Sequence, residues 1–491
     1  MSTIHLWDNS WHVPNPDDSM KDSFGRKPCA LNKKNGKDDI VLRTLSSTTI
    51  GDLMKSEECD VLVWPHSFQD SVDEIKDQYI FRISEKDGRK IDSLTTGNVV
   101  GFIGKENTHI RIHSRFTSDV GKGGKVNDYF LYHMLSKVMA ANWFNLDTSS
   151  SSQDSVFDFL LFFFPRLLKE ALSQGMYKKY VYHEYNDANV RGVIDINRHI
   201  RRNIPANGKI AYRTREFSYD NPMTQLVRHT IEFIRRKPFG KAALHNDPDT
   251  EGCVQQIIQA TPTFQPQQRQ TVINENLRPV VHPYFTKYAA LQTLCLRILR
   301  HEKLSYGAAN DNKIHGLLID AAWLWEEYIG LVLSEETGIK HYTRKNSHFH
   351  LFKDEEGSFQ KIIPDYYDGD SIVADAKYIP LNRSRDLDAD KAAPIYYKTI
   401  MYMYRFDTSK GFLFHPVRHD ETDEKYVVSE RYQIDKREDC SLTKVGLVVA
   451  DIIDNDNEKK KEIEYSAFRN TMNESEERFR KMVKELTVSS S

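Results

Sequence analysis

Residues 362–378 read IIPDYYDGDSIVADAKY, and no other stretch constrains the fold as tightly. Pro364-Asp365 ends one strand-like segment. The DGDS run supplies turn residues, and SIVADAKY reads as a second strand. The spacing predicts a hairpin that brings Asp365 close to Asp375. Asp375 and Lys377 are two apart, so they point to one face of their strand. Two carboxylates and an ammonium then converge. Asp oxygens suit Mg²⁺, a hard cation that keeps several waters. Such an ion polarises a phosphate, lowers the pKa of a water and stabilises a leaving oxygen. Lys377 is placed to orient that water or to neutralise developing charge. A DxK tripeptide alone is common and reads equally well as a surface ion pair. The preceding PD, the ten-residue spacing and the order of the flanking elements separate the two readings.

That order is helix, three strands, helix, strand. Asp320 to Ser334 (DAAWLWEEYIGLVLS) is an apolar helix. HYTRK, FQKIIPDYYDG and SIVADAKYIPL are strand-like, DADKAAPIYYKTIMYMYRF is helical, and GFLFHPVR is a strand. The pattern resembles the PD-(D/E)xK nuclease motif. The resemblance implies metal ligation by Asp365 and Asp375, assistance by Lys377, and a further ligand at Glu326 in LWEEY. Lys398 and Tyr402 stand where such nucleases often carry Gln and Tyr, and the Lys departs from that pattern. His341, His348 and His350 match no standard metal spacing, and His348 and His350 share a strand face beside the motif.

Upstream, VLVWP, YIFRIS, NVVGFIG and HIRIHSRF predict a small antiparallel β domain. Asp128 to about Arg300 reads as mainly helical, with VFDFLLFFFPRLL as a buried core helix too short and too interrupted to span a membrane. The fold class expected is α+β, with an N-terminal β domain, a helical middle domain and a C-terminal PD-(D/E)xK restriction-endonuclease-like core. The boundaries expected are a flexible arm over 1–39, the β domain over 40–127, and a basic helical domain over 128–310. The nuclease domain follows over 311–440, then a strand and charged, solvated helix over 441–491. With 68 Lys+Arg against 70 Asp+Glu, a uniformly basic coat is excluded. A local patch is not: residues 186–240 hold eleven Lys/Arg and five Asp/Glu. Arg191, Arg198, Arg201, Arg202, Arg213 and Arg215 form its centre, interleaved with Tyr212, Phe217 and Tyr219. The patch reads as phosphate contacts on duplex DNA, as a partner surface, or as a solvated basic face. Five scattered cysteines without a CxxC pair disfavour disulfides and thiolate zinc. A reducing cytosol, hence a cytoplasmic location, is expected, and the N-terminus does not read as a signal peptide.

NVVGFIGKENTHIRIHSRF, NDYFLYHMLSKV, RGVIDINRHIRRN, REFSYDNPMTQLVRHTI and LLIDAAWLWEEYIG, in that order, resemble the McrC subunit of the McrBC modified-cytosine restriction system. The similarity covers most of residues 40 to 415. It implies a DNA endonuclease that acts with a hexameric AAA+ GTPase partner and whose N-terminal region docks on that ring. The GTP or ATP would be bound by the partner, and LlaJI-type systems use related subunits. The chain has no GxxxxGK[ST] phosphate loop; Gly121 to Lys125 reads as a finger near the partner or as a solvated linker. His109, Arg111 and Arg115, placed by their spacing on one strand face, are the expected partner contacts. A RecB-like repair exonuclease and a non-catalytic activator of the ring are the competing readings. A DNA-end requirement would mark the first, and the intact Asp-Asp-Lys set opposes the second.

Overall fold

The computed structural model describes residues 2–17, 19–20, 27–33, 36–56, 59–66, 74–86, 90–105, 108–117, 128–139, 154–237, 240–245, 247–300, 314–334, 337–342, 347–379, 381, 389–450 and 458–488. The Gly121–Lys125 loop and the serine run at 149–152 lie outside them. The chain divides into two compact units, Met1–Phe144 with Gly307–Ser491, and Asn145–Tyr306. In chain order the first unit begins with β1 (Ser2–Trp7), β2 (Trp11–Val13), β3 (Cys29–Ala30), α1 (Gly36–Ser46), α2 (Ile50–Lys55) and β4 (Cys59–Trp64). It continues with β5 (Phe81–Lys86), β6 (Lys90–Thr96), β7 (Val99–Lys105), β8 (Thr108–His113) and α3 (Tyr129–Met139). The second unit holds α4 (Asp154–Leu172), β9 (Lys179–Asp187), β10 (Val193–Ile194), α5 (Ile196–Asn203) and β11 (Ile210–Ser218). Its helices α6 (Pro222–Arg235), α7 (Gly240–Leu244), α8 (Pro248–Ala260), α9 (Arg269–Glu275) and α10 (Tyr288–Arg300) follow. The first unit resumes with β12 (Ile314–Asp320), α11 (Ala321–Ser334), β13 (Lys340–His341), β14 (His350–Lys353), β15 (Ser358–Lys361), β16 (Tyr366–Tyr367) and β17 (Ile372–Ala376). It ends with α12 (Ala389–Phe406), β18 (Lys410–Arg418), β19 (Val427–Ile434), β20 (Arg437–Val449) and α13 (Glu458–Val488).

The N-terminal strands do not form a purely antiparallel domain. Their main sheet has the order β1-β8-β7-β12-β4, with β1 parallel to β8 and β12 parallel to β4. β12 arrives from far downstream, beyond the whole second unit, and lies antiparallel to β7. Residues 40–127 therefore do not close a sheet by themselves. The approach is tight: a Cβ on Gly101 (φ +132°) would lie 2.2 Å from the Leu317 carbonyl oxygen. Nor is 1–39 a loose arm. Ser2 to Trp7 pair in register with Thr108 to His113, and Ile4 and Leu6 are fully buried. Those two, with Val63, Ile110, Ile112 and Leu318, join Leu42 and Leu45 of α1 and Ile50 of α2 in one core. Alternation in STIHLW carried this signal, but it spans only two apolar residues ahead of a Pro-rich stretch.

The second unit is a helical core with a sheet added. α10 packs against α4 and α6, burying Leu167, Leu168, Val227, Ile231, Leu294 and Ile298. Asn221 caps α6 by accepting from Met223 and Thr224 N–H, and Thr224 caps it reciprocally. The antiparallel sheet β10-β11-β9 sits within the segment expected to be mainly helical.

The C-terminal sheet of the first unit has the order β13-β16-β17-β18-β20-β19. β17, β18 and β20 are parallel neighbours, and β18 is buried along nearly its whole length. Both faces of a parallel strand are covered, which is why GFLFHPV is apolar without alternation. α13 is not the solvated helix its composition implies. Tyr465, Phe468, Met472, Phe479 and Val483 are buried at intervals of three, four, seven and four residues, and Glu476 completes the stripe at 1% exposure. Glu476 accepts hydrogen bonds from His133 Nε2 (2.7 Å) and the Tyr328 hydroxyl (2.5 Å), and Lys137 lies against its other oxygen. Burial would push its carboxyl up, but His133 and Lys137 outweigh burial and hold it down at about 2. α13 is thereby fastened to α3 and α11 through one charged group.

Candidate active site

The hairpin forms as the spacing predicts. Asp368 accepts from the N–H groups of Asp370 (2.9 Å), Ser371 (3.0 Å) and Ile372 (3.0 Å), and Gly369 takes φ +100°. That side-chain turn folds the DGDS run back. Tyr366 pairs with Ala374 and Tyr367 with Val373, and the same register carried one residue back sets Asp365 opposite Asp375. Asp365 Oδ2 accepts from the Ala376 N–H at 2.7 Å. β18 lies on the other side of β17, with Asp375 against Leu413. The Lys377 N–H donates to the Phe414 carbonyl at 2.8 Å, which continues the strand geometry through the lysine.

Asp375 is fully buried. Its Oδ1 lies 3.1 Å from Lys398 Nζ, and the Lys377 ammonium lies against Oδ2. Burial would raise its pKa, but the two lysines outweigh burial and hold the carboxyl below its ordinary range. Asp365 goes the other way. Burial, then the charges of Asp375 and Glu326, push it well above the carboxylate range. Lys398 loses by burial and gains more from Asp375 and Asp365, so its ammonium is stabilised. One carboxylate neutralised by two lysines thus sits beside a second carboxylate that burial and like charge make costly to ionise.

Glu326, on α11, is on the same side of this cluster electrostatically, but its Oε1 is engaged by His341 Nε2 at 2.9 Å. Burial would lower the His341 pKa, and the Glu326 carboxylate reverses this and raises it. His341 pairs with Tyr366 across β13 and β16, and the Tyr366 hydroxyl donates to the Glu326 carbonyl. No sequence signal links His341 to Glu326; the strand pairing makes the link. Tyr402 donates to the Ile363 carbonyl at 2.7 Å and so braces the segment leading into Pro364-Asp365. His348 and His350 join no metal-holding set among the described residues.

Among the described residues no three His, Cys, Asp or Glu side chains are grouped closely enough to hold an ion by themselves. The Asp365–Asp375 pair nevertheless fits Mg²⁺, which takes one or two carboxylates and keeps its waters. Asp375 Oδ2 is buried and faces the Lys377 ammonium, the lysine two residues on in its own strand.

The other expected site residues fall into different classes. Arg198 turns inward: its side chain donates to the carbonyls of Tyr185 (2.9 Å) and Tyr212 (2.7 Å) and pairs with Glu184. It ties α5 to its sheet and is not a phosphate contact. Tyr212 is fully buried, its hydroxyl on Asp187, and cannot stack on a base. Arg191 lies over the Tyr185 ring at 5.3 Å, Arg213 lies 3.9 Å from Asp195, and Arg215 lies over the Tyr180 ring at 4.4 Å. Arg201 and Arg202 project from α5 in the open. Phe217 and Tyr219 are exposed, as are Tyr180 and Tyr182, two aromatics on β9 that the sequence pattern does not single out. On β8, His109 and Arg111 do share the partly exposed face, though β1 and β7 occupy both edges of that strand. Arg115 does not join them. It lies beyond the strand, is buried, pairs with Asp8, donates to the Tyr378 carbonyl at 2.7 Å and stacks on the Tyr378 ring.

Fold and site together define a mixed α/β protein with a buried carboxylate–lysine cluster on the central strands of one sheet. The family model for the McrBC 5-methylcytosine restriction system component matches residues 94–416. That is more than half of the chain, and the chain belongs to this family, which bears out the resemblance read from the sequence. Two solved structures from Thermococcus gammatolerans are similar to it. One, from a tetradecameric assembly of McrB AAA+ hexamers with bound McrC, is 14% identical over 96% of this chain and 100% of its own, with a TM-score of 0.40. The other, from the McrBC complex, is 15% identical over 68% of this chain and 88% of its own, with a TM-score of 0.29. No curated protein matches. No helix among the described residues is long and apolar enough to cross a membrane.

Proposed function

We propose that this chain is the DNA-cleaving, McrC-type subunit of a restriction complex driven by an AAA+ NTPase partner. The observation that carries the reading is the convergence of Asp365, Asp375 and Lys377 on one strand pair. Membership of the McrBC family supplies the setting, and the McrB hexamers named with the Thermococcus structures are the model for the partner. Mg²⁺, held by Asp365 and Asp375, would supply polarisation of the phosphate and a more acidic water. The remaining work falls to the chain. Burial of Asp375 between β16 and β18 fixes the carboxylates in place, so little reorganisation is needed at reaction. Lys377 holds an ammonium beside them, where it orients the attacking water and balances charge on the phosphorus oxygens. Glu326, its Oε1 engaged by His341, adds negative potential on the α11 side. The products expected are a 5′-phosphate or 3′-phosphate end and a free hydroxyl, by addition of water across one phosphodiester.

DNA contacts are assigned to the second unit, on Arg201 and Arg202 with the exposed aromatics of β9 and β11. Replacing both arginines by Glu should weaken DNA binding and lower the slope of log K against log salt by roughly 0.9 for each phosphate no longer neutralised. Arg198→Glu should instead lower the thermal midpoint, because it removes the tie between α5 and the sheet. A DNA affinity unchanged by the double substitution would remove the assignment. The function itself is tested by linearisation of supercoiled plasmid by the chain with its partner, nucleotide and Mg²⁺. Product from the wild type and none from Lys377→Ala is expected.

A further inference from the structure

We propose that Lys398 restricts this site to a single divalent cation, its ammonium standing on the Asp375 oxygen that a second cation would need. The inference rests on the nuclease reading above. Phosphoryl-transfer sites with two ions place them about 3.5–4 Å apart and clamp both the attacking and leaving oxygens. A carboxylate shared between two ions must offer both of its oxygens. Asp375 is fully buried on a central strand, and each of its oxygens already faces an ammonium, Lys377 from its own strand and Lys398 from α12 at 3.1 Å.

Lys398 has a neighbour besides Asp375. Its ammonium lies 5.4 Å from the centre of the Tyr402 ring, and Tyr402 is itself fixed by its hydroxyl to the Ile363 carbonyl. The helix therefore delivers the ammonium to the same strand pair that carries both aspartates. Its side chain is nonetheless 42% exposed against 22% for Lys377, so Lys398 is the more solvent-accessible of the two ammoniums.

The charge count points the same way. With an ion bound and both aspartates ionised, Asp365, Asp375 and Glu326 contribute three negative charges and Lys377 and Lys398 two positive ones, a balance of −1 before the ion is counted. One divalent cation brings the cluster to +1, the complement of one phosphodiester. Two would bring it to +3, with the second ion repelled by an ammonium at close range. Without Lys398 the balance is −2, and two cations leave +2 with one oxygen of Asp375 released.

The test is a count of Mn²⁺ bound by the full-length chain, by calorimetry and by electron spin resonance, with Asp375→Asn as the reference that removes the site. The wild type should bind one Asp375-dependent ion with the spectrum of an isolated Mn²⁺. Lys398→Gln should bind two, with the exchange-coupled spectrum of a close pair, and Lys398→Arg should return to one. Two Asp375-dependent ions in the wild type, or one in a folded Lys398→Gln, would overturn the proposal and leave the nuclease reading standing. Where Lys398→Gln does not fold, Lys398→Met, uncharged and of similar length, takes its place, with two ions expected and one overturning the proposal. Absence of any Asp375-dependent ion in the wild type would overturn the metal site on which both rest.

Discussion

Asp375→Ala should reduce DNA cleavage by on the order of 10³-fold or more, while stimulation of the partner's nucleotide hydrolysis stays at the wild-type level. Removing one pre-organised electrostatic group from such a site costs about 10²–10³ in rate, and Asp375 is the proposed metal ligand as well as the partner of two lysines. The change should be well tolerated by the fold. Removing one partner of an ion pair is costly when it strands a fully buried charge, but the Lys377 and Lys398 side chains are 22% and 42% exposed and can turn to water. Asp375→Asn keeps the shape and removes the charge, and should behave alike in cleavage. The readouts are initial rates of plasmid cutting, of nucleotide hydrolysis and a thermal unfolding curve for each variant. Wild-type cutting by either variant would place the chemistry elsewhere, and lost hydrolysis with a normal melting curve would tie Asp375 to the partner instead.

The largest effect on stability is expected at Glu476. Its carboxylate is buried and shared by His133, Tyr328 and Lys137. Glu476→Ala leaves those donors facing a cavity, and breaking a buried pair from one side costs about 3–5 kcal/mol. Cooperative unfolding of the unit that holds α13 should shift down by several degrees at least. Acid gives a second signature. The folded carboxyl is held at about 2, below its ordinary value of 4.5, so its contribution is present above pH 4.5 and is lost as pH falls from there toward 2. The stability difference between wild type and Glu476→Gln should therefore be full at pH 6 and shrink steadily below pH 4.5. A difference under about 1 kcal/mol at pH 6, or one that grows in acid, would mean that this network does not hold α13 in place.

The hairpin was legible because its information is local. Pro364, the DGDS turn and the two-residue step from Asp375 to Lys377 fix register and facing without help from distant chain. Glu326 was reachable only through the element order, and its partner His341 not at all, since strand pairing to Tyr366 brings the two together. Lys398 stood out as a departure from a pattern, but its role depends on how α12 lies over β17. Long-range pairing also hid β1 and β12, whose partner strands are distant in the chain. In α13 the apolar stripe was diluted by charged neighbours, and the one charged residue inside the stripe holds the helix down. Arg115 and Arg198 looked like surface cations by type. Each is spent on carbonyl oxygens inside the protein, which composition cannot reveal.

On the proposed function, the chain carries a nuclease site whose use is controlled by the partner. The most direct measurement is conversion of supercoiled plasmid to linear product by the purified full-length chain with Mg²⁺, alone and with the AAA+ partner and its nucleotide. Almost no cutting is expected from the chain alone, double-strand breaks with partner and nucleotide, and none from Lys377→Ala under the same conditions. Vigorous cutting by the chain alone, or undiminished cutting by Lys377→Ala in the complex, would contradict the proposed function.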